Sequence, residues 1–145
     1  MINSKVSRVL YPDFFNNNYI YTYYKFNEEL EDLIELSGCK EEFTRKFRKM
    51  LLFLEGLKRN CISHKNFERL VKNGDIYSMR LKGDKNIRIL FAFIDYYDKE
   101  VAILLYAFEE KDRRTKSKHS YGTAISIAMD RMKELINWRG DCNDK

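Results

Sequence analysis

Three runs rich in β-forming residues, Ile76–Leu81, Ile87–Tyr96 and Val101–Glu110, follow one another with breaks of only five residues (Lys82 to Asn86) and four (Tyr97 to Glu100). Breaks this short join antiparallel neighbours, because a parallel return needs a crossover of a dozen or more residues. An antiparallel β-meander is therefore predicted. The middles of the last two runs are almost continuously apolar, as a central strand covered on both faces requires. Alternation also sets a register. Met79 and Leu81 share one face of their strand, as do Ile87 and Ile89, and the simplest register that buries all four places Arg80 directly opposite Arg88. Like charges at such a position are destabilising by a few tenths of a kcal/mol to about one. An anion between the two guanidiniums offsets that repulsion, and a phosphate matches their geometry. The plainer alternative is two ordinary exposed sheet residues.

The segments around the meander complete an α+β pattern. Tyr19–Tyr24 reads as a strand. Asn27 before Glu28 and Glu29 marks a helix start, Leu30, Leu33 and Ile34 form its apolar face, and Gly38 ends it, giving a helix of about 27–37. Phe43, Phe47, Met50, Leu51 and Leu54 recur at helical spacing within Lys40 to Arg59, a long basic helix. Ser63 to Asn73 reads as a polar connection, and Gly74-Asp75 as a turn. Ser120 precedes a last helix with Tyr121, Ile125, Ala128, Met132 and Leu135 on one face, closing near Gly140. The expectation is an N-terminal strand and two helices, an antiparallel meander and a C-terminal helix, with the helices on one side of the sheet. A single domain over 1–145 is expected, with 1–18 as an N-terminal extension of no clear period.

Ten Phe, ten Tyr and one Trp supply a sizeable core, while one proline and six glycines exclude collagen-like or Pro/Gly-rich disordered chains. The longest apolar run, Val101 to Phe108, falls far short of the ~20 residues of a membrane span. No signal peptide is recognisable, so a cytoplasmic protein without a membrane partner is expected. Cys39, Cys61 and Cys142 are odd in number and widely spaced, as reduced thiols are. Cys61 and His64 form an isolated C-x-x-H, too few ligands for structural zinc, and neither metal nor cofactor is expected.

The formal net charge of +5 is unevenly spread. Glu28 to Glu35 carries five carboxylates and no base, whereas Lys111 to Lys118 sets Lys111, Arg113, Arg114, Lys116 and Lys118 against Asp112 alone. This tract is either a polyanion contact or a solvated loop kept soluble by its charge.

Ile76-Tyr77-Ser78-Met79-Arg80-Leu81, then Asn86-Ile87-Arg88-Ile89-Leu90-Phe91, then Val101 to Phe108 followed by bases, and finally Ala124 through Asp130-Arg131-Met132 form an ordered series. Over about Tyr19 to Trp138 it resembles the RelE/HigB-type toxins of bacterial toxin–antitoxin pairs. The resemblance implies a RelE-like fold and a ribosome-dependent mRNA endoribonuclease, restrained by a cognate antitoxin in a hetero-oligomer. In that chemistry a ribose 2′-hydroxyl attacks the neighbouring phosphodiester without a metal, aided by a base, an acid and cations at the phosphoryl oxygens. Carried over, Arg80 matches a basic residue of the first meander strand and Arg88 the arginine on the scissile phosphate. Arg113 or Arg114 takes the basic position after the last strand, His119 is a proton carrier, and Tyr121 is an aromatic that stacks on a base or orients the reacting group. Lys111, Arg114, Lys116 and Lys118 would bind RNA. The chain departs from the family pattern at Ser78, where a further base is common, and at Glu109 and Glu110-Lys111, where two lysines are usual. The same superfamily includes ParE-type gyrase inhibitors that lack nuclease activity, and a plain nucleic-acid-binding domain is a third alternative.

Overall fold

The computed structural model describes residues 5–71, 75–83, 85–110 and 117–143, the side chains of 71, 117–121 and 137–143 excepted. In chain order the elements are β1 (Val6–Ser7), β2 (Ile20–Tyr23), α1 (Phe26–Ser37), α2 (Lys40–Leu57), a 3-10 turn (Lys58–Ser63), β3 (Phe67–Val71), β4 (Ile76–Leu81), β5 (Ile87–Tyr96), β6 (Lys99–Glu109) and α3 (Ser117–Asn143). The fold is α+β, around a mixed six-stranded sheet in the order β1-β2-β6-β5-β4-β3. β2 lies parallel to β6, which makes the sheet more than a meander; the pairs β3/β4, β4/β5 and β5/β6 are antiparallel. β3 lies where a polar connection was expected. Its charged middle, Glu68-Arg69, suits an edge strand, and Phe67 is the residue it buries in the core of the α1/α2 face.

The helices do not share one side of the sheet. Phe26, Leu30 and Ile34 of α1 and Phe43, Phe47, Leu51 and Leu54 of α2 pack with Met79, Leu81, Ile87, Ile89, Phe91 and Leu104. Ala124, Ala128 and Leu135 of α3 cover the other face with Ile76, Leu90, Ala92, Ile94, Ile103 and Leu105. Two-sided burial follows from the apolar runs themselves: a single helical layer would leave Leu90, Ala92, Ile94 and Ile103 in water, at about 1.5–3 kcal/mol for each large side chain. Phe91, fully buried, stacks on Tyr77 at 5.7 Å and meets Phe67 and Phe93 edge-on at 6.1 and 5.7 Å.

α1 begins within a residue of the expected start, and Asn27 lies in its first turn, where it has a further part. Its Oδ1 accepts the backbone N–H groups of Leu10 and Tyr11 at 2.9 and 3.3 Å, and its Nδ2 donates to the Arg8 carbonyl at 2.9 Å. The N-cap position is taken by Lys25, without a side-chain capping bond. Asn27 thereby fastens the N-terminal segment, whose Val9 is fully buried and whose Tyr11 hydroxyl donates to Glu35 at 2.8 Å. Gly38 does end α1, in the left-handed region at φ 76° that glycine adopts without Cβ strain.

Glu134 ties α3 to the N-terminal edge of the sheet, bonded by Lys5 and by the Tyr23 hydroxyl at 2.6 Å. The Lys5 bond first, then that of Tyr23, hold its carboxyl below the ordinary value of 4.5. The native state therefore binds this proton more weakly than the unfolded chain does. The resulting stability is present above pH 4.5 and is lost as pH falls through the lower native value. Urea unfolding across the acid range is expected to give a shallower acid slope for Glu134→Gln, by under about 1 kcal/mol because the pair is partly exposed. An unchanged slope would mean that Glu134 carries none of the acid lability.

Candidate phosphate-binding site

The register predicted from alternation is present: Met79 pairs with Ile89, Leu81 with Ile87, and Arg80 lies directly across from Arg88. Both arginines belong to the α3 face of the sheet. Arg88 nevertheless does not point into solvent. It is only 4% exposed, and its guanidinium is held by groups of the chain itself. Nε donates to Glu110 at 2.9 Å, and Nη1 donates to Glu68 and to the Ser78 hydroxyl, each at 3.1 Å. Arg88 is thus neutralised from within, by two carboxylates. The two negative charges at Arg88 reduce the repulsion that the register would otherwise impose.

Glu110 reaches Arg88 because of a bulge. Leu90 pairs with Tyr106 but Phe91 pairs with Leu104, so Leu105 is an extra residue in β6. Before the bulge, Ile103 and Leu105 face α3; after it the phase flips, and Tyr106 and Phe108 pack on that same side. The alternation carries Glu110 there too. Without the phase flip Glu110 would project to the α1/α2 side. The carbonyl of Leu105 accepts a bond from Arg131 of α3 at 2.8 Å. The Arg131 guanidinium also forms a two-pronged pair with Glu29 of α1, both bonds 2.6 Å, and stacks over Tyr23 and Tyr106 with its carbon 4.6 and 5.3 Å from their ring centres. Arg131 therefore links α1, the β6 bulge and α3.

Arg80 is half-buried, and its Nε has no hydrogen-bond partner among the described residues. Its backbone N–H donates to Asn66. The sheet thus presents one arginine saturated by acids beside one with an unmatched donor. Glu110 closes the described part of the chain on this side, its N–H bonded to the carbonyl of Asn86 at 2.8 Å. The basic tract begins at the next residue in sequence. Lys111, Arg113, Arg114 and Lys116 lie outside the described residues, and of Lys118, His119 and Tyr121 only the backbone is described, in the first turns of α3. The structure thus brings Arg80 and Arg88 together.

Two contributors to the cluster, Glu68 and Ser78, and the nearby linking residue Arg131 escaped the sequence reading. Glu68 sat in the supposed connection, although a strand over 67–71 with Phe67 inward would have turned Glu68 toward the arginines. Ser78 was noted only as a missing base, yet it is 1% exposed and bonds Arg88. Arg131 had no assigned contact. Elsewhere, His64 is engaged structurally: its Nδ1 accepts the Asn66 N–H at 3.1 Å, and its ring lies 4.4 Å from that of Phe53. Burial pushes the Cys61 thiol up to about 11, which keeps it protonated and unreactive at neutral pH. A depression lined by Gly38, Cys39 and Arg45 at the α1–α2 turn holds none of the candidate residues. No described helix is long and apolar enough to cross a membrane. Comparison with protein-family models, with curated proteins and with solved structures found no match.

Proposed function

We propose that this chain is the toxin of a type II toxin–antitoxin pair, of RelE-like fold, and acts in the cytoplasm as a ribosome-dependent, metal-independent mRNA endoribonuclease. The observation that carries this reading is the pairing of Arg80 with Arg88 on adjacent strands, at the end of the sheet from which a tract of five bases departs. Cleavage by a 2′-hydroxyl concentrates negative charge on the phosphoryl oxygens, and rigidly held guanidiniums suit that charge better than loop-borne ones. Arg80, with its unmatched Nε, is the first contact for phosphate, and Arg88 the second. Arg113 completes the cationic set, His119 carries the proton, and Tyr121 stacks on a base. Lys111, Arg114, Lys116 and Lys118 hold the RNA backbone. An antitoxin that covers this face restrains the enzyme.

One observation favours a second reading: with Arg88 neutralised by two carboxylates, the cluster also suits a ParE-type gyrase inhibitor, which needs no phosphate clamp. The readings separate on induction without a partner. The nuclease is expected to arrest growth and to leave new mRNA 5′ ends inside translated frames. Growth arrest with intact mRNA and DNA-damage induction would assign the protein to gyrase instead, and benign expression would oppose both.

A further inference from the structure

Arg88 is the most buried charged side chain described, yet the acids that neutralise it sit nearer to solvent. The Glu68 side chain is 54% exposed and that of Glu110 23%, against 4% for Arg88. Glu68 is already more than half in water and Glu110 partly so, while the arginine is fixed by its strand and by Ser78. The acids also come from places that can yield, Glu68 from the edge strand β3 and Glu110 from the residue after β6, whereas Arg80 and Arg88 stand on β4 and β5 inside the sheet.

We propose that Glu68 and Glu110 form a displaceable carboxylate latch that occupies the phosphate position on Arg88, so that the site is masked until a polyanion displaces them. This rests on reading the Arg80–Arg88 pair as a phosphate site, and it adds how that site is kept closed. A carboxylate mimics two of the phosphoryl oxygens, so the exchange replaces one charge-assisted pair by another and leaves no buried charge unmatched. The latch suppresses capture of free phosphate and stray RNA, and yields to a ligand that also engages Arg80.

The latch lowers apparent affinity by the fraction of molecules in which Arg88 is free. The test is titration of the intact protein with inorganic phosphate and with a short single-stranded RNA at fixed salt, for wild type, Glu110→Gln, Glu68→Gln and the control Glu109→Gln. Glu109 faces Lys85 at 3.7 Å and makes no bond to Arg88, but its substitution changes net charge equally. Glu110→Gln is expected to raise phosphate affinity by roughly tenfold, as for a latch closed about nine-tenths of the time, with a smaller gain for Glu68→Gln and little for Glu109→Gln. Equal gains in all three variants would reduce the effect to net charge and overturn the latch, as would unchanged or weaker binding in folded Glu110→Gln. If Glu110→Gln fails to fold, Glu68→Gln decides alone, since its side chain is mostly solvated. Affinity gains confined to the two latch positions, with ribosome-bound mRNA left intact, would uphold the latch and remove the nuclease reading. mRNA cleavage without those gains would do the reverse.

Discussion

Arg88→Ala is expected to lower mRNA cleavage by about 10²-fold or more, the scale of losing one donor to a developing oxyanion. It is also expected to lower stability by about 1–3 kcal/mol, the scale of leaving a buried polar group such as the Ser78 hydroxyl unsatisfied. The second effect follows from the structure and reverses what strand alternation alone suggests. A side chain pointing away from the α1/α2 core looks dispensable for folding, but Arg88 is 4% exposed and bonds Glu68, Ser78 and Glu110. Truncation leaves the Ser78 hydroxyl without this partner, and two carboxylates close together must seek water. Arg88→Lys should recover part of the stability and less of the rate, since an ammonium keeps the charge without the planar fork. The purified variants separate the two effects when rates are measured well below their melting temperatures. A folded Arg88→Ala protein that cleaves at the wild-type rate would remove Arg88 from the site, and one as stable as wild type would contradict the buried pairing.

Arg131→Ala should be strongly destabilising although it lies away from the candidate site, by about 3 kcal/mol, because it orphans Glu29 and the Leu105 carbonyl together. For a chain of this size that is a fall in melting temperature of roughly 6–12 °C. The bulge at Leu105 sets the phase that brings Glu110 to Arg88, so loosening it has a second consequence. Phosphate affinity should rise in Arg131→Ala while cleavage falls, since α3 carries His119 and Tyr121. Arg131→Lys cannot form the two-pronged pair with Glu29 and should recover under half of the lost stability. Equal melting temperatures for wild type and Arg131→Ala would show that the Arg131 bonds add nothing to the hold on α3.

Periodicity made much of this fold legible. The helical face of Phe43, Phe47, Met50, Leu51 and Leu54 and the α+β class could be read from spacing alone. So could the register that sets Arg80 across from Arg88, because a one-residue slip would send Met79 and Ile89 to the wrong side. The misreadings have local causes. β3 was hidden by its charged middle, since an edge strand need bury little. Asn27 looked like a cap because a cap and a long-range fastener need the same side-chain amide. The bulge at Leu105 left no trace in a run apolar on both faces, so the arrival of Glu110 beside Arg88 could not be foreseen. The burial of Arg88 depends on Glu68 and Glu110, which lie 20 and 22 positions away in sequence. The N-terminal segment has no period because it is fastened by Asn27 and Tyr11 and forms only a two-residue strand.

Central to this account is that the paired arginines serve cleavage of mRNA on the ribosome. Its most direct test is a purified translation reaction with a defined mRNA, halted with a codon in the decoding site, to which the antitoxin-free protein is added. The account predicts cuts at the ribosome-bound codon, none in the same mRNA without ribosomes, and loss of those cuts in Arg88→Ala. Ribosome-bound mRNA that stays intact with the folded wild-type protein would contradict it.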